Sequence, residues 1–186
     1  MQLNSKDEIT QLILSKGIST WEELKMHTRQ LPYGRNKTRG DLSLVIKEGR
    51  GTCSSKHALL KLVAVNNKIP DVELMLCLYK MTNNNTPGIG SVLAENKLEY
   101  IPEAHCYLVE NSAKQDYTNP DANIYRITEH IIEELSIEPD EISEFKVNYH
   151  KDFLMQWIVK ERIPFSFDEV WSIRERCIES LSKNSD

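Results

Sequence analysis

The stretch Gly49-Arg50-Gly51-Thr52-Cys53 decides the fold prediction, because it leads directly into the most apolar helical pattern of the chain. Most positions from Cys53 to about Asn67 are apolar, which predicts a helix buried at the centre of the domain. A cysteine in the first turn of a helix lies beside unbonded backbone N–H groups and the positive end of the helix dipole, and both stabilise its thiolate. The pattern therefore predicts that Cys53 is a nucleophile at the start of a central helix.

Strands are expected after this helix. Residues 72–81 form an apolar run typical of a buried strand, and residues 105–110 and 115–118 predict two strands joined by a turn at 111–114. A short apolar piece at 42–46 precedes the central helix.

Further helices are predicted at both ends of the chain. Capping-box patterns begin at Ser5, Ser19 and Ser166, and the chain beyond residue 125 is predicted to be helical, with one helix near 148–162. The order of helices, central helix, strands and helices indicates an α+β fold rather than alternating βαβ units. We expect one domain over residues 1–186, with N-terminal helices and a loop at 1–48, a core at 49–120 and a mostly helical extension at 121–186.

Composition limits the functional class. The chain of 186 residues is 40% hydrophobic and carries 28 acidic against 23 basic residues, for a net charge of −5, which disfavours a nucleic-acid partner. Its longest apolar run, residues 74–79, is shorter than the roughly 20 residues needed to span a bilayer, so no membrane partner is expected. The N-terminus lacks signal-peptide order, and four scattered cysteines do not form a disulfide framework. We expect a cytoplasmic protein with reduced thiols.

A histidine and an aspartate accompany Cys53. A cysteine nucleophile needs an imidazole within hydrogen-bonding reach and a third group that orients the imidazole. His105 follows Cys53 by 52 residues, and Asp116 follows His105 by 11 residues on the neighbouring predicted strand. Adjacent antiparallel strands bring such residues side by side. The three residues therefore predict a Cys-His-Asp site.

Four short motifs in the segment 49–120 resemble the transglutaminase-like superfamily, a branch of the papain-like cysteine enzymes. Gly51-Thr52-Cys53 is similar to the nucleophile turn of that superfamily, and Asn67-Lys68-Ile69-Pro70 is similar to the segment before its next strand. His105-Cys106-Tyr107 resembles its histidine with a nearby aromatic residue, and Asp116-Tyr117-Thr118 resembles its aspartate strand. The resemblance implies a central helix packed on an antiparallel sheet, flanked by N- and C-terminal helices. It also implies that Cys53 is the nucleophile, His105 the base and acid, and Asp116 the orienting carboxylate. The implied activity is that of a cysteine hydrolase or acyltransferase, acting on amide or peptide bonds through a thioester.

The resemblance has one departure. In the superfamily the second oxyanion donor is usually an upstream Gln or Trp, and residues 31–52 contain neither. Gln30, Tyr33 and Asn36 are the candidates to replace it, beside the backbone N–H of Cys53. The departure keeps an alternative open, a catalytically inactive transglutaminase-like binding module. The chemistry requires no cofactor, its partner would be a peptide, protein or small amide substrate, and the oligomeric state stays undetermined.

A metal site is the third hypothesis. Cys53 and His57 share a helix face, and the pair His105-Cys106 could complete a tetrahedral set. Because adjacent residues of a strand point to opposite faces, that pair is not expected to bind one ion, and we expect no metal. His57 is then expected to be a packed residue of the central helix.

Two loops are predicted to border the cleft, the polar segment 82–90 and the basic segment 33–39. The basic residues of this region could favour an anionic substrate group, although a solvated loop is the expected interpretation: Arg35, Lys37, Arg39 and Arg50. The acidic run at 129–141 is expected to be a solvated face. Cys77 and Cys177 are expected to lie in the core.

Overall fold

Helices and one antiparallel sheet form an α+β protein in the computed structural model, which describes residues 1–183. In chain order the elements are α1 (Glu8–Ser15), α2 (Trp21–Gln30), α3 (Ser43–Lys47), α4 (Cys53–Asn66), β1 (Val72–Met81), α5 (Val92–Glu95), β2 (Ile101–Glu110), β3 (Ala113–Gln115), α6 (Tyr125–Thr128), β4 (Ile131–Ser136), a 3₁₀ helix (Pro139–Ile142), α7 (Glu144–Lys160) and α8 (Phe167–Lys183). Within residues 1–183, no helix is both long enough and apolar enough to cross a membrane.

The helix starts follow local capping chemistry. The first two begin slightly later than predicted, because Asp7 caps α1 by accepting the N–H of Thr10 and Thr20 forms a capping box with Glu23 at α2. The predicted box at Ser166 is confirmed, since its hydroxyl accepts the N–H of Glu169 at the start of α8. The apolar piece at 42–46 lies mostly in the short helix α3.

The sheet has the strand order β3-β2-β1-β4. β2 and β3 pair antiparallel, with Leu108 opposite Gln115 and Glu110 opposite Ala113. The turn between them consists of Asn111 and Ser112, at φ 48° and 67°, which is typical of a two-residue hairpin loop. The prediction of a longer turn at 111–114 is therefore wrong, and residues 116–118 lie beyond the end of β3 rather than within a strand.

The mostly helical extension predicted beyond residue 121 also contains a strand that was not predicted, because residues 131–136 form β4. This strand stands at the edge of the sheet, next to β1 alone. Its exposed Glu133 and Glu134 carry charge along that edge, which disfavours pairing with another chain. The predicted helix near 148–162 begins earlier, at Glu144.

The chain divides into two compact units. The first comprises Met1–Leu76, Cys106–Ile124 and Leu135–Ser143. At its centre is α4, which packs against α1, α2 and α3 and buries ten of its residues, as the apolar pattern predicts.

The second unit comprises Cys77–His105, Tyr125–Glu134 and the chain from Glu144 onward. Its α7 and α8 pack together and bury a charged cluster against β2. Arg174 of α8 binds both carboxylate oxygens of Glu103, while Lys146 and His150 of α7 hydrogen-bond the carbonyls of Ala104 and Pro102, both at 2.9 Å. The cluster neutralises Glu103 and satisfies two strand carbonyls within the core.

Candidate functional site

Cys53 is the first residue of α4, and its surroundings fix that first turn. Thr52 caps the helix, accepting the N–H of Ser55 at 3.3 Å and donating its own N–H to the Ser55 hydroxyl at 2.9 Å. A Cβ at Gly51 would lie 2.9 Å from both the Ser55 hydroxyl and Cγ of Lys56, so the close approach requires glycine. Cys53 is 8% exposed. The structure thus confirms the helix N-terminal position predicted for this thiol.

The segment after α2 lies beside this turn. Tyr33 and Gly51 form a parallel bridge, in which Gly34 donates to the Gly51 carbonyl and Gly51 donates to the Pro32 carbonyl, both at 3.2 Å. These bonds hold the start of the basic segment 33–39 against the chain that leads to Cys53.

The three oxyanion candidates differ in position. Gln30 is an exposed residue at the end of α2. The side-chain amide of Asn36 donates to Glu48 Oε2 at 3.0 Å and to the Arg50 carbonyl at 2.9 Å, so its two N–H groups are already used. The backbone of Tyr33 is joined to the turn itself, through the bridge to Gly51. Of the three candidates, Tyr33 is thus the one whose main chain is paired directly with the turn before Cys53.

Lys56 is a buried cation one helical turn from Cys53, and its closeness in sequence predicts that it favours the Cys53 thiolate. It is 0% exposed, and its ammonium donates to the carbonyls of Leu31 at 2.5 Å and Thr118 at 2.6 Å. Burial lowers the pKa of Lys56 to about 8, while the negative charges of Asp116 and the Cys53 thiolate oppose that decrease. Lys56 thus lies within electrostatic reach of both predicted site residues. The sequence signals only that a lysine stands three positions after Cys53, and the burial of its ammonium comes from the fold.

His57 is a packed residue, as expected. Its ring is 0% exposed, its Nδ1 lies 2.7 Å from the Cys53 carbonyl, and its Nε2 accepts the N–H of Tyr117 at 2.8 Å. Because a carbonyl only accepts and a backbone N–H only donates, we assign the neutral tautomer with hydrogen on Nδ1. Asp116 Oδ1 lies 3.6 Å from Nε2, beyond hydrogen-bonding distance. Nε2 thus joins α4 to the chain after β3, while Nδ1 bonds a carbonyl of the first turn of the same helix.

Asp116 is held in a fixed turn directly after β3. Its Oδ1 accepts the N–H of Thr118 at 2.9 Å, and its side chain is 8% exposed. The next residue, Tyr117, donates its hydroxyl to Glu110 at 2.9 Å, and Glu110 also binds the Lys25 ammonium at 2.9 Å. Burial and proximity to Glu110 raise the pKa of Tyr117, so the hydroxyl keeps its proton. This buried network anchors the backbone that carries Asp116.

His105 lies on β2 in the second unit and is half-buried. Its ring stands edge-on to Tyr79, with ring centroids 6.3 Å apart and an interplanar angle of 81°. Cys106, the next residue of the strand, is 0% exposed.

The other three cysteines are more deeply buried than Cys53. Cys77, Cys106 and Cys177 are all 0% exposed. The core positions expected of Cys77 and Cys177 are thus confirmed. Burial raises the pKa of Cys177 to about 11, so its thiol keeps its proton at neutral pH. Within residues 1–183, no group of three His, Cys, Asp or Glu side chains is placed to hold a metal ion.

Comparisons with known protein families, curated proteins and solved structures found no match for this chain. Fold and site together define an α+β protein with a cysteine at the capped N-terminus of a buried helix and a buried lysine that interacts with the charges of that cysteine and of Asp116.

Proposed function

We propose that the protein is a cysteine-dependent hydrolase or acyltransferase with a transglutaminase-like core, acting on amide or peptide bonds. The observation that carries the proposal is the electrostatic setting of Cys53. Its sulfur is at the N-terminal end of a 14-residue helix, and the Lys56 ammonium is close enough for each charge to influence the other. Helix N–H groups and a nearby cation both favour the reactive thiolate.

The proposed reaction begins when His105 takes the Cys53 proton. The thiolate then attacks the carbonyl carbon, a C–S bond forms, and the electron pair of the carbonyl moves to its oxygen. The backbone N–H of Cys53 and the hydroxyl of Tyr33 would bind that oxyanion. When the oxyanion collapses, the C–N bond breaks, His105 protonates the leaving amine, and a thioester remains on Cys53.

Resolution of the thioester uses the same residues. His105 takes a proton from water or from a second amine, which attacks the thioester carbon and releases Cys53 as the thiolate. Asp116 would orient the His105 ring and stabilise its protonated form. The anchored turn of Asp116 supports this role, because an orienting carboxylate must itself be immobile.

The hydrogen bonds of His57 favour His105 as the base. Although His57 is one helical turn from Cys53, its Nε2 already accepts the Tyr117 N–H, and its Nδ1 bonds the Cys53 carbonyl. To take a proton, Nε2 would first have to release that N–H and leave it buried without an acceptor. The motif resemblance independently assigns the base to His105.

Acylation by p-nitrophenyl acetate tests the proposal. We expect an acetyl group on Cys53, located by peptide mass spectrometry, and nitrophenol release that continues as water resolves the thioester. Addition of a primary amine distinguishes transfer from hydrolysis, since transfer yields the N-acetyl amine. Cys53→Ala should abolish both signals, whereas the matched variant Cys106→Ala should retain them. Acetylation of Cys53 no faster than that of a free thiol would contradict the proposal and favour the inactive binding module.

A further inference from the structure

Four exposed cations lie in the segment of chain that leads to Cys53. We call them the basic rim: Arg35, Lys37, Arg39 and Arg50. Residues 33–50 contain five Lys or Arg and two Asp or Glu, a net charge of +3, so the other 168 residues carry −8 to give the total of −5. The sign of this segment is opposite to that of the chain as a whole.

Backbone contacts hold the basic rim against the nucleophile turn. Gly34 donates to the Gly51 carbonyl at 3.2 Å, and Asn36 donates to the Arg50 carbonyl at 2.9 Å. Arg50 also crosses close to Gly34, where a Cβ would lie 3.2 Å from Cδ of the arginine. The segment that carries the rim is therefore bonded directly to Arg50 and Gly51, the residues just before Cys53.

One carboxylate within this segment, that of Glu48, holds the loop. It accepts from the Asn36 amide at 3.0 Å and from the Lys37 N–H at 3.4 Å, and it lies 3.6 Å from Nε of Arg50. These contacts keep the pKa of Glu48 below its usual range. Its charge offsets one cation of the rim, and its hydrogen bonds order the loop before any ligand binds.

We infer that the basic rim selects acyl donors that carry a carboxylate close to the scissile carbonyl, as acidic peptides do. This inference rests on the proposed function, because it describes the substrate class of the same Cys53 site. A cluster of like charges beside a reactive group raises the local concentration of ligands of opposite sign and weakens as salt is added.

Two alkylating reagents of similar size and different charge test the inference. Iodoacetate carries a carboxylate and iodoacetamide does not, so the ratio of their rates at Cys53 reports local potential and cancels changes in the thiolate fraction. We expect this ratio to exceed that of a neutral free thiol. In Lys37→Glu/Arg39→Glu it should fall about threefold, taking a charge separation of about one Debye length, about 10 Å, at about 0.1 M ionic strength.

The control Lys6→Glu/Lys68→Glu makes the same charge change on exposed residues near Asn67, at the other end of the central helix. We expect its ratio to match that of the wild type, and the wild-type excess to disappear at high salt. Fast alkylation of Cys53 with the same ratio in both double variants would overturn the inference and leave the proposed function standing. Slow alkylation of Cys53 by both reagents, at the rate of an unperturbed thiol, would overturn the proposed function and with it the inference.

Discussion

Replacement of Lys56 by methionine isolates the contribution of the buried ammonium to the thiolate of Cys53. Residues three apart on a helix have Cβ atoms about 5–6 Å apart, and we take the separation of the two charges as about 7 Å. At an effective dielectric constant of about 20, two such charges interact by about 2.4 kcal/mol, or about 1.7 units in the thiol pKa. Lys56→Met is therefore expected to raise the pKa of the Cys53 thiol by about that amount.

The rate of alkylation should respond differently on the two sides of this pKa. On the acidic side the thiolate fraction falls about 50-fold, while each remaining thiolate becomes about 6-fold more nucleophilic, for a net loss of about 8-fold. On the alkaline side, above the Lys56 pKa of about 8, the wild-type lysine has lost its own charge, so the two proteins should react at similar rates. The pH–rate profiles of the two proteins, measured with iodoacetamide, should therefore differ most near and below neutral pH and converge at alkaline pH.

Lys61→Met is the matched control, because Lys61 lies on the same helix and its ammonium also donates to a carbonyl, that of Val72 at 2.8 Å. Both variants should fold. The lowered pKa of about 8 means that the charge of Lys56 costs the folded state about 3 kcal/mol. Lys56→Met removes that cost, which offsets the two hydrogen bonds lost by the carbonyls of Leu31 and Thr118. The electrostatic reasoning would be refuted if the pH–rate profiles of Lys56→Met and wild type were superimposable. It would also be refuted if Lys61→Met shifted the pKa of the Cys53 thiol as much as Lys56→Met does.

Three further predictions concern the histidines and Asp116. His57→Ala leaves the Cys53 carbonyl and the Tyr117 N–H without their buried partner, so urea unfolding should show a loss of about 2–4 kcal/mol; an unchanged midpoint would contradict the structural role of this ring. Asp116→Asn should keep the fold, by circular dichroism, and slow the acetylation of Cys53, because an amide does not stabilise a protonated imidazole; full activity in this variant would remove Asp116 from the site. Burial lowers the pKa of His150 to about 4 from 6.5, so the unfolded chain binds a proton that the folded chain excludes, and up to about 3 kcal/mol of stability should be lost as pH falls from about 6.5 to about 4. Urea midpoints measured across that pH range should show this loss in the wild type and less of it in His150→Gln. If stability fell equally steeply with pH in both proteins, the loss would not come from His150.

Much of the fold follows from local pattern. The predicted central helix at 53–67 matches α4, and the predicted strand at 72–81 matches β1, because both segments have continuous apolar runs and clear punctuation. β4 escapes prediction since its sequence Ile131-Ile132-Glu133-Glu134-Leu135-Ser136 has no regular alternation, and its pairing at the edge of the sheet determines its conformation. The hairpin loop is shorter than predicted because Asn111 and Ser112 both adopt positive φ, which closes the turn in two residues.

In the candidate site, too, local features can be predicted from the sequence, whereas features that depend on distant residues cannot. The position of Cys53 is a local property of a capped helix start, so the sequence predicts it. The burial of Lys56 depends on carbonyls of Leu31 and Thr118, which are 25 and 62 residues away along the chain, and no local pattern contains that information. The engagement of the Asn36 amide likewise depends on a distant acceptor, Glu48.

Selective alkylation among the four cysteines tests the central claim, that Cys53 is an activated nucleophile, most directly. Native protein is treated briefly with substoichiometric iodoacetamide near neutral pH, and labelled peptides are quantified for Cys53, Cys77, Cys106 and Cys177. We expect Cys53 to be labelled first, and faster than a free thiol. His105→Ala should slow the labelling of Cys53 without changing the order in which the four cysteines react. Preferential labelling of Cys106, or a Cys53 rate equal to that of an unperturbed thiol and insensitive to His105→Ala, would contradict the central claim.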